Sequence, residues 1–212
     1  MATTDLQPPS RGERATEPGT EPVRAAAGSP IADPGPLGLA AFALTTFVLS
    51  VFNAGILTQG EPVVLGLALA YGGVTQLLAG MWEFRKGNTF GAVAFSSYGA
   101  FWISFWALVA FYATDATAHA IGVYLLAWTI FTAYMTVAAA RVSGAVLAVF
   151  VALTLTFLFL AIGDLAGTTG MTRLGGWLGL VTAVLAWYAS FAAVVNETWK
   201  RTVLPVWPLS GR

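Results

Sequence analysis

The chain contains no cysteine, which excludes disulfides, thiol catalysis, iron–sulfur clusters and thiolate zinc sites. Its single histidine, His119, cannot build a histidine-rich metal site or a bis-histidine haem. Charge is scarce as well. Only 9% of the 212 residues are Asp, Glu, Lys or Arg, whereas a soluble domain carries roughly 25% because its water-facing surface needs it. Ten basic and ten acidic residues cancel, so the basic excess that nucleic-acid binding demands is missing. No nucleophile–base pair, metal cluster or phosphate loop stands out, so neither an enzyme nor a cofactor is expected. What is present is apolar: 57% hydrophobic residues and 13% aromatic. These proportions describe an integral membrane protein surrounded by lipid, and a multi-pass place in the cell (plasma or inner) membrane is expected.

The few charges are unevenly placed. Residues 1–35 hold Arg11, Arg14, Arg24, several acids and prolines, and almost no large apolar side chain. Such a segment cannot bury enough apolar area to offset its ordering entropy, and it reads as a disordered cytoplasmic tail. It lacks the apolar core of a signal peptide. Six apolar runs follow, at Leu37–Leu57, Pro62–Trp82, Gly91–Tyr112, Ala120–Ala140, Ser143–Gly163 and Thr172–Val195. Each is about 20 residues long, enough to cross a hydrocarbon core of about 30 Å as a helix. The runs are continuous rather than alternating, and in lipid a helix satisfies its own backbone. The fold class is therefore all-α, a transmembrane bundle of six helices over 36–198, with a cytoplasmic C-terminal tail at 199–212. With the N-terminus inside, Arg11, Arg14, Arg24, Arg85, Lys86, Arg141, Lys200, Arg201 and Arg212 all lie on the cytoplasmic side and Arg173 alone lies outside. That asymmetry predicts both termini in the cytoplasm.

Small residues recur inside the spans, as in Gly66, Ala70 and Gly73 or Gly175 and Gly179. Such spacing lets helix backbones approach closely, within a protomer or between protomers. So many faces carry small residues that an oligomer is expected. Trp82, Trp177 and Trp199 near span ends suit interfacial anchoring. Polar groups inside spans cost energy and so carry more weight. Thr45, Thr46, Ser50 and Asn53 lie on the first span, Gln76 on the second, and Ser96, Ser97 and Tyr98 on the third. Glu83 follows Gln76 by about two turns, which puts both on one face. No helix centre carries a charge. The hydroxyls and amides either bond between helices or line a narrow wet path, with Asn53 and Gln76 the more open to the second reading because a whole amide needs several partners. Glu83, at the cytoplasmic end of its span, is the candidate for proton linkage, with a plain ion pair to Arg85, Lys86 or Lys200 as the alternative.

The run Asp33-Pro-Gly-Pro-Leu-Gly-Leu-Ala-Ala-Phe42 resembles the Asn-Pro-Ala-Pro-Leu-Gly-Leu signature of the acetate uptake transporter family, whose nearest members here are bacterial succinate–acetate permeases. Tyr71-Gly-Gly73 with Gln76 and Ala79-Gly80, the loop from Glu83 to Gly91, Phe95-Ser-Ser-Tyr-Gly-Ala-Phe-Trp102, Gly122-Val-Tyr124, Ala161-Ile-Gly163 and Arg201-Thr-Val-Leu-Pro205 are similar to further segments of that family. The resemblance runs in order over residues 33–206. Three positions depart from it: Asp33 and Asp164 stand where Asn is usual, and Gly35 where Ala is usual. Asp33 can still cap the first helix, but it adds negative charge near a mouth meant for anions.

The resemblance implies six-helix protomers assembled as homo-hexamers, with a separate path in each protomer for acetate and related small carboxylates, succinate in some members, linked to protons. It also implies an apolar constriction of one Phe, one Tyr and one Leu. Carried over by motif, these are Phe42, Tyr98 and Leu153. Thr45, Asn53, Gln76 and the Tyr98 hydroxyl would supply donors on either side, and the helix start at Pro34–Pro36 would present free N–H groups to an anion. A membrane sensor or photoreceptor-like bundle without transport activity is the other reading. A retinal-type chromophore needs a lysine within a span, and Lys86 and Lys200 both sit at span edges.

Overall fold

The computed structural model describes residues 31–209 together with Met1. Residues 2–30, which make up most of the expected N-terminal tail, and residues 210–212 lie outside the described residues. Among the described residues six helices are long and apolar enough to cross a membrane: α1 (Gly35–Asn53), α2 (Val63–Lys86), α3 (Thr89–Phe111), α4 (Ala118–Ala139), α5 (Gly144–Ala166) and α6 (Thr169–Thr198). Among the described residues there is no strand, only an isolated bridge between Ser143 and Pro208.

The helix ends follow local chemistry. α1 begins behind Pro34 with Pro36 in its first turn, where a missing N–H costs nothing. Asn88, Thr117 and Ser143 cap α3, α4 and α5 by accepting the N–H of Gly91, Ala120 and Val146, each at 3.2 Å, which satisfies donors the helix cannot. α2 and α5 stop at Gly87 and Gly167, whose left-handed φ values of 82° and 63° a side chain would resist. The second apolar run ends at Trp82, but the helix continues to Lys86. Hydropathy falls before the backbone does, because Arg85 and Lys86 can carry their charges outward on long stems. The helix therefore extends past Glu83, which is buried rather than left in a loop.

Within α2, residues Ala70–Thr75 form a π-helical turn. This turn sits where α1 comes close. A Cβ at Gly72 would stand 2.6 Å from the Thr45 hydroxyl oxygen, so only glycine leaves room there. α1 packs against α6 and α2, α5 lies between α6 and α4, and α3 lies on α2. The backbones of α3 and α4 scarcely approach, because an aromatic layer separates them. Phe101 packs on Trp128 at 5.2 Å between ring centres and on Tyr124 at 5.9 Å, and Tyr98 on Phe131 at 5.4 Å.

Three glycines of α6, Gly175, Gly176 and Gly179, face inward. A Cβ at Gly176 would collide with the backbone of Asn53 and Ala54, and one at Gly179 with Ser50. These positions serve packing within the protomer. Gly66 of α2, by contrast, is exposed with nothing nearby. Trp82, Trp177 and Trp199 are exposed, in keeping with interfacial anchoring. After α6 the chain folds back. Gly144 donates to Trp207 O at 2.7 Å and Leu209 to Val142 O at 3.2 Å. The Asn196 side-chain oxygen accepts from the N–H groups of Val203 and Leu204 at 2.7 and 3.0 Å. Residues 200–209 thus form a strap across the start of α5 rather than a free tail.

Candidate functional site

Two cavities lie toward opposite ends of the bundle. The distal one, about 270 Å³, is bounded by the C-terminal half of α1, the later turns of α3 and α5 and the start of α4. Phe42, Asn53 and Leu153 line it, with Thr46, Trp102 and Asp164. The proximal one, about 200 Å³, lies beside the start of α1, the end of α2 and the beginnings of α3 and α5. Glu83 and Phe150 line it, with Asp33, Lys86 and Asn88.

Between the two sits a layer of buried apolar side chains. Phe42, Tyr98, Phe150 and Leu153 belong to one core cluster. The Tyr98 ring centre is 5.8 Å from that of Phe42 and 6.1 Å from that of Phe150. The residues named from the motifs, Phe42, Tyr98 and Leu153, are therefore brought together. Phe150 joins them, and no motif distinguished it from the rest of a nearly featureless apolar run.

The Tyr98 hydroxyl lies 2.9 Å from Thr132 Oγ1. Thr132 in turn donates to Trp128 O at 2.7 Å. A carbonyl can only accept, so the Thr132 proton is taken, and Tyr98 must donate to Thr132. Its one proton is committed within the protein and is not free for a carboxylate, contrary to the donor role expected of it.

The polar residues divide. Asn53 lines the distal cavity. Thr45 is buried, donates to Ala41 O at 2.9 Å and packs against the α2 π turn, lining neither cavity. Gln76 is 1% exposed and also lines neither cavity; its Oε1 has no hydrogen-bond partner among the described residues. Two residues not singled out from the sequence as ligand donors line the distal cavity and hold unpartnered buried atoms: Thr46 Oγ1 and Trp102 Nε1. Trp102 was legible only as one aromatic among many.

In the proximal cavity Glu83 is 1% exposed, and its Oε2 has no hydrogen-bond partner among the described residues. Lys86 Nζ stands 3.9 Å from that oxygen but only 2.8 Å from Asp33 Oδ1. Asp33 Oδ1 also accepts the Gly35 N–H at 2.9 Å. Asp33 thus holds the first turn of α1 as expected, and Lys86 offsets the charge it brings to this mouth. Among the described residues no group of three or more His, Asp or Glu is arranged to hold a metal ion.

A family profile described as the GPR1/FUN34/yaaH family matches residues 14–211. The chain is 39% identical over 180 residues to the succinate-acetate/proton symporter SatP of Escherichia coli K12, covering 83% of this chain and 95% of that one. It is 47% identical over 176 residues to accumulation of dyads protein 2 of Saccharomyces cerevisiae, covering 78% of this chain and 62% of that longer one. In structure it is similar to a bacterial acetate channel SatP, with a TM-score of 0.80 and 38% identity over 83% of this chain and 99% of the other.

Proposed function

Since the chain belongs to the GPR1/FUN34/yaaH family, we propose that it moves acetate and related small carboxylates, succinate among them, across the membrane together with protons and without converting them chemically. One observation carries this reading: two cavities separated by the buried Phe42–Tyr98–Phe150–Leu153 layer, with unpartnered donor atoms of Thr46 and Trp102 on the lining of the distal one. Acetate is a methyl group on a carboxylate. An apolar neck wide enough for the methyl excludes bulk water and ions that cannot shed their hydration, while donors next to it replace the water the carboxylate loses. Among the described residues no Arg or Lys lines the distal cavity to trap an anion, and passage needs binding weak enough to release.

In this reading the distal cavity faces outward and both termini are cytoplasmic, as the basic asymmetry favours. Glu83 takes up and releases the coupled proton at the inner cavity, where the pull of Lys86 toward Asp33 leaves one of its oxygens unpartnered. Asn53 assists the head group on the outer side. The protomers assemble as homo-hexamers, each with its own path, and the exposed small residues Gly66 and Ala70 offer a surface for close helix contact between protomers.

Uptake of radiolabelled acetate into proteoliposomes, with and without an inward proton gradient, tests the reading. Uptake above that of protein-free vesicles, raised by the gradient and less so in Glu83→Gln, is expected. Uptake no faster than in protein-free vesicles would reject the assignment.

A further inference from the structure

The charges lining the distal cavity are the wrong sign for a carboxylate. Two carboxyl groups, Glu61 and Asp164, line it, and among the described residues no Lys, Arg or His does. Glu61 stands exposed in the loop before α2, where water screens it. Asp164 projects from the last turns of α5 and is partly buried. Among the described residues it has no ion-pair partner within 4.0 Å. Arg173, the basic residue of α6 near this end, lies instead against Gly55, where an added Cβ would be 3.0 Å from its Nε. Tyr124 is the remaining titratable group of the lining, and its hydroxyl is 2.7 Å from Ser104 Oγ. His119 and Asp115 are exposed outside the cavity.

Toward the middle of the bundle the same cavity holds two donors. Thr46 and Trp102 are 6% and 2% exposed, and Thr46 Oγ1 and Trp102 Nε1 have no hydrogen-bond partner among the described residues. A bare anion would find the donors but meet Asp164 as a like charge in a space of about 270 Å³. A cation would find the carboxylates but leave both donors unanswered. A carboxylic head group carrying one proton answers both sets in turn. Beside Asp164 one of its oxygens is joined through the proton to an Asp164 oxygen, since two carboxyl groups that close cannot both stay ionised. Further in, its oxygens accept from Trp102 or Thr46.

We propose that Asp164 shares one proton with the head group of the entering carboxylate, so that the distal cavity admits substrate as an acid–carboxylate pair and not as a bare anion. The balance is simple. Either the neutral acid donates its O–H to ionised Asp164, or the anion accepts from protonated Asp164. Both routes give a pair with one proton and one negative charge, and no covalent bond other than O–H changes. Glu83 lines the other cavity, so the path has a proton-binding group at each end. The inference rests on the carboxylate reading above.

The test measures initial acetate uptake into proteoliposomes, corrected for protein-free vesicles, from about pH 5 to about pH 7.5, a range over which ordinary carboxyl groups become fully ionised. The readout is the ratio of variant to wild-type uptake at each pH. For Asp164→Asn the ratio should rise with pH by about tenfold, the equivalent of about 1.4 kcal/mol of relieved repulsion. Asp164→Ser, neutral but smaller, should show the same upward trend if the Asn variant does not assemble. Asp164→Glu, which restores the titrating group, should hold the ratio level. Ratios for Asn and Ser that stay level while wild-type uptake is robust would overturn the proposal alone. Wild-type uptake indistinguishable from protein-free vesicles at every pH would overturn the carboxylate reading and the proposal with it.

Discussion

Phe42 and Leu153 carry no polar atom, and each is at least nine-tenths buried between α1, α3 and α5. Truncating such side chains in a packed core costs about 2–5 kcal/mol, with the spread set by how far the neighbours collapse into the space. Here the space opens toward the distal cavity, which both residues line, so collapse is limited and the proposed neck should widen. We expect Phe42→Ala and Leu153→Ala to shift the cut-off toward bulkier acids, raising uptake of lactate and succinate relative to acetate, while acetate uptake holds or rises. Competition of labelled acetate by acids of graded size, on variants that elute as assembled protein, measures the cut-off. A cut-off unchanged in both variants would place the neck elsewhere. Tyr98→Phe is the informative companion. It keeps the ring that packs on Phe42 and removes a hydroxyl whose proton is spent on Thr132. Thr132 retains its bond to Trp128 O, so the loss should be about 0.5–1.5 kcal/mol of stability. Thermal unfolding in detergent should register it, with the size cut-off where it was in the unmodified protein.

At the level of the helices, glycine sets how closely α6 approaches its neighbours. A Cβ at Gly176 would run into the Asn53–Ala54 backbone, which cannot swing aside as a flexible side chain could. Gly176→Ala should therefore push α6 from α1, displace Asn53 at the cavity wall and cost about 1–3 kcal/mol, as overpacking does. Gly170, on the same helix with nothing within 4 Å, is the control: Ala there should be neutral or stabilising by up to about 1 kcal/mol. Comparing melting temperatures of the two variants checks both; equal values would mean the close approach is not needed. The six spans themselves were legible because hydrocarbon thickness makes an apolar run of the right length a helix almost without regard to detail. The faces were less legible. In a soluble helix, polar residues mark the side away from the core. Here lipid and core are both apolar, so nothing in the run distinguished Trp102, turned inward, from Trp82, turned outward. The motif-borne trio of Phe42, Tyr98 and Leu153 could be named, whereas Phe150 could not. Thr45 and Gln76 enter as path lining only with the path that the resemblance implies, and bonding between helices is the other reading of their polar groups; the π turn of α2 and its close contact with α1 decide where Thr45 packs. A run of α2 residues does not announce that turn.

For the molecule as a whole, the proposed direction of transport depends on which way the bundle sits in the membrane. The basic residues argue for one answer. Arg85, Lys86, Arg141, Lys200 and Arg201 share one side of the alternating helix order, and Arg173 is on the other. Lys and Arg close to spans are retained on the cytoplasmic side during insertion. The side with the proximal cavity, Glu83 and the C-terminal strap should then face the cytoplasm, and the Asp164 cavity should face out. Because the chain has no cysteine, single reporters can be introduced against a silent background. Thr58, exposed in the α1–α2 connection, and Ala140, exposed at the end of α4, lie on opposite sides in this arrangement. Both have backbones a cysteine can adopt, unlike Gly87 with its φ of 82°, and neither replacement alters the charges that set orientation. A membrane-impermeant thiol reagent applied to intact cells should modify Thr58→Cys and spare Ala140→Cys until the membrane is opened. Modification of Ala140→Cys alone would invert the bundle, moving Asp164 to the cytoplasmic mouth and Glu83 to the outer one. Modification of both from outside would mean that one of the helices between them does not cross.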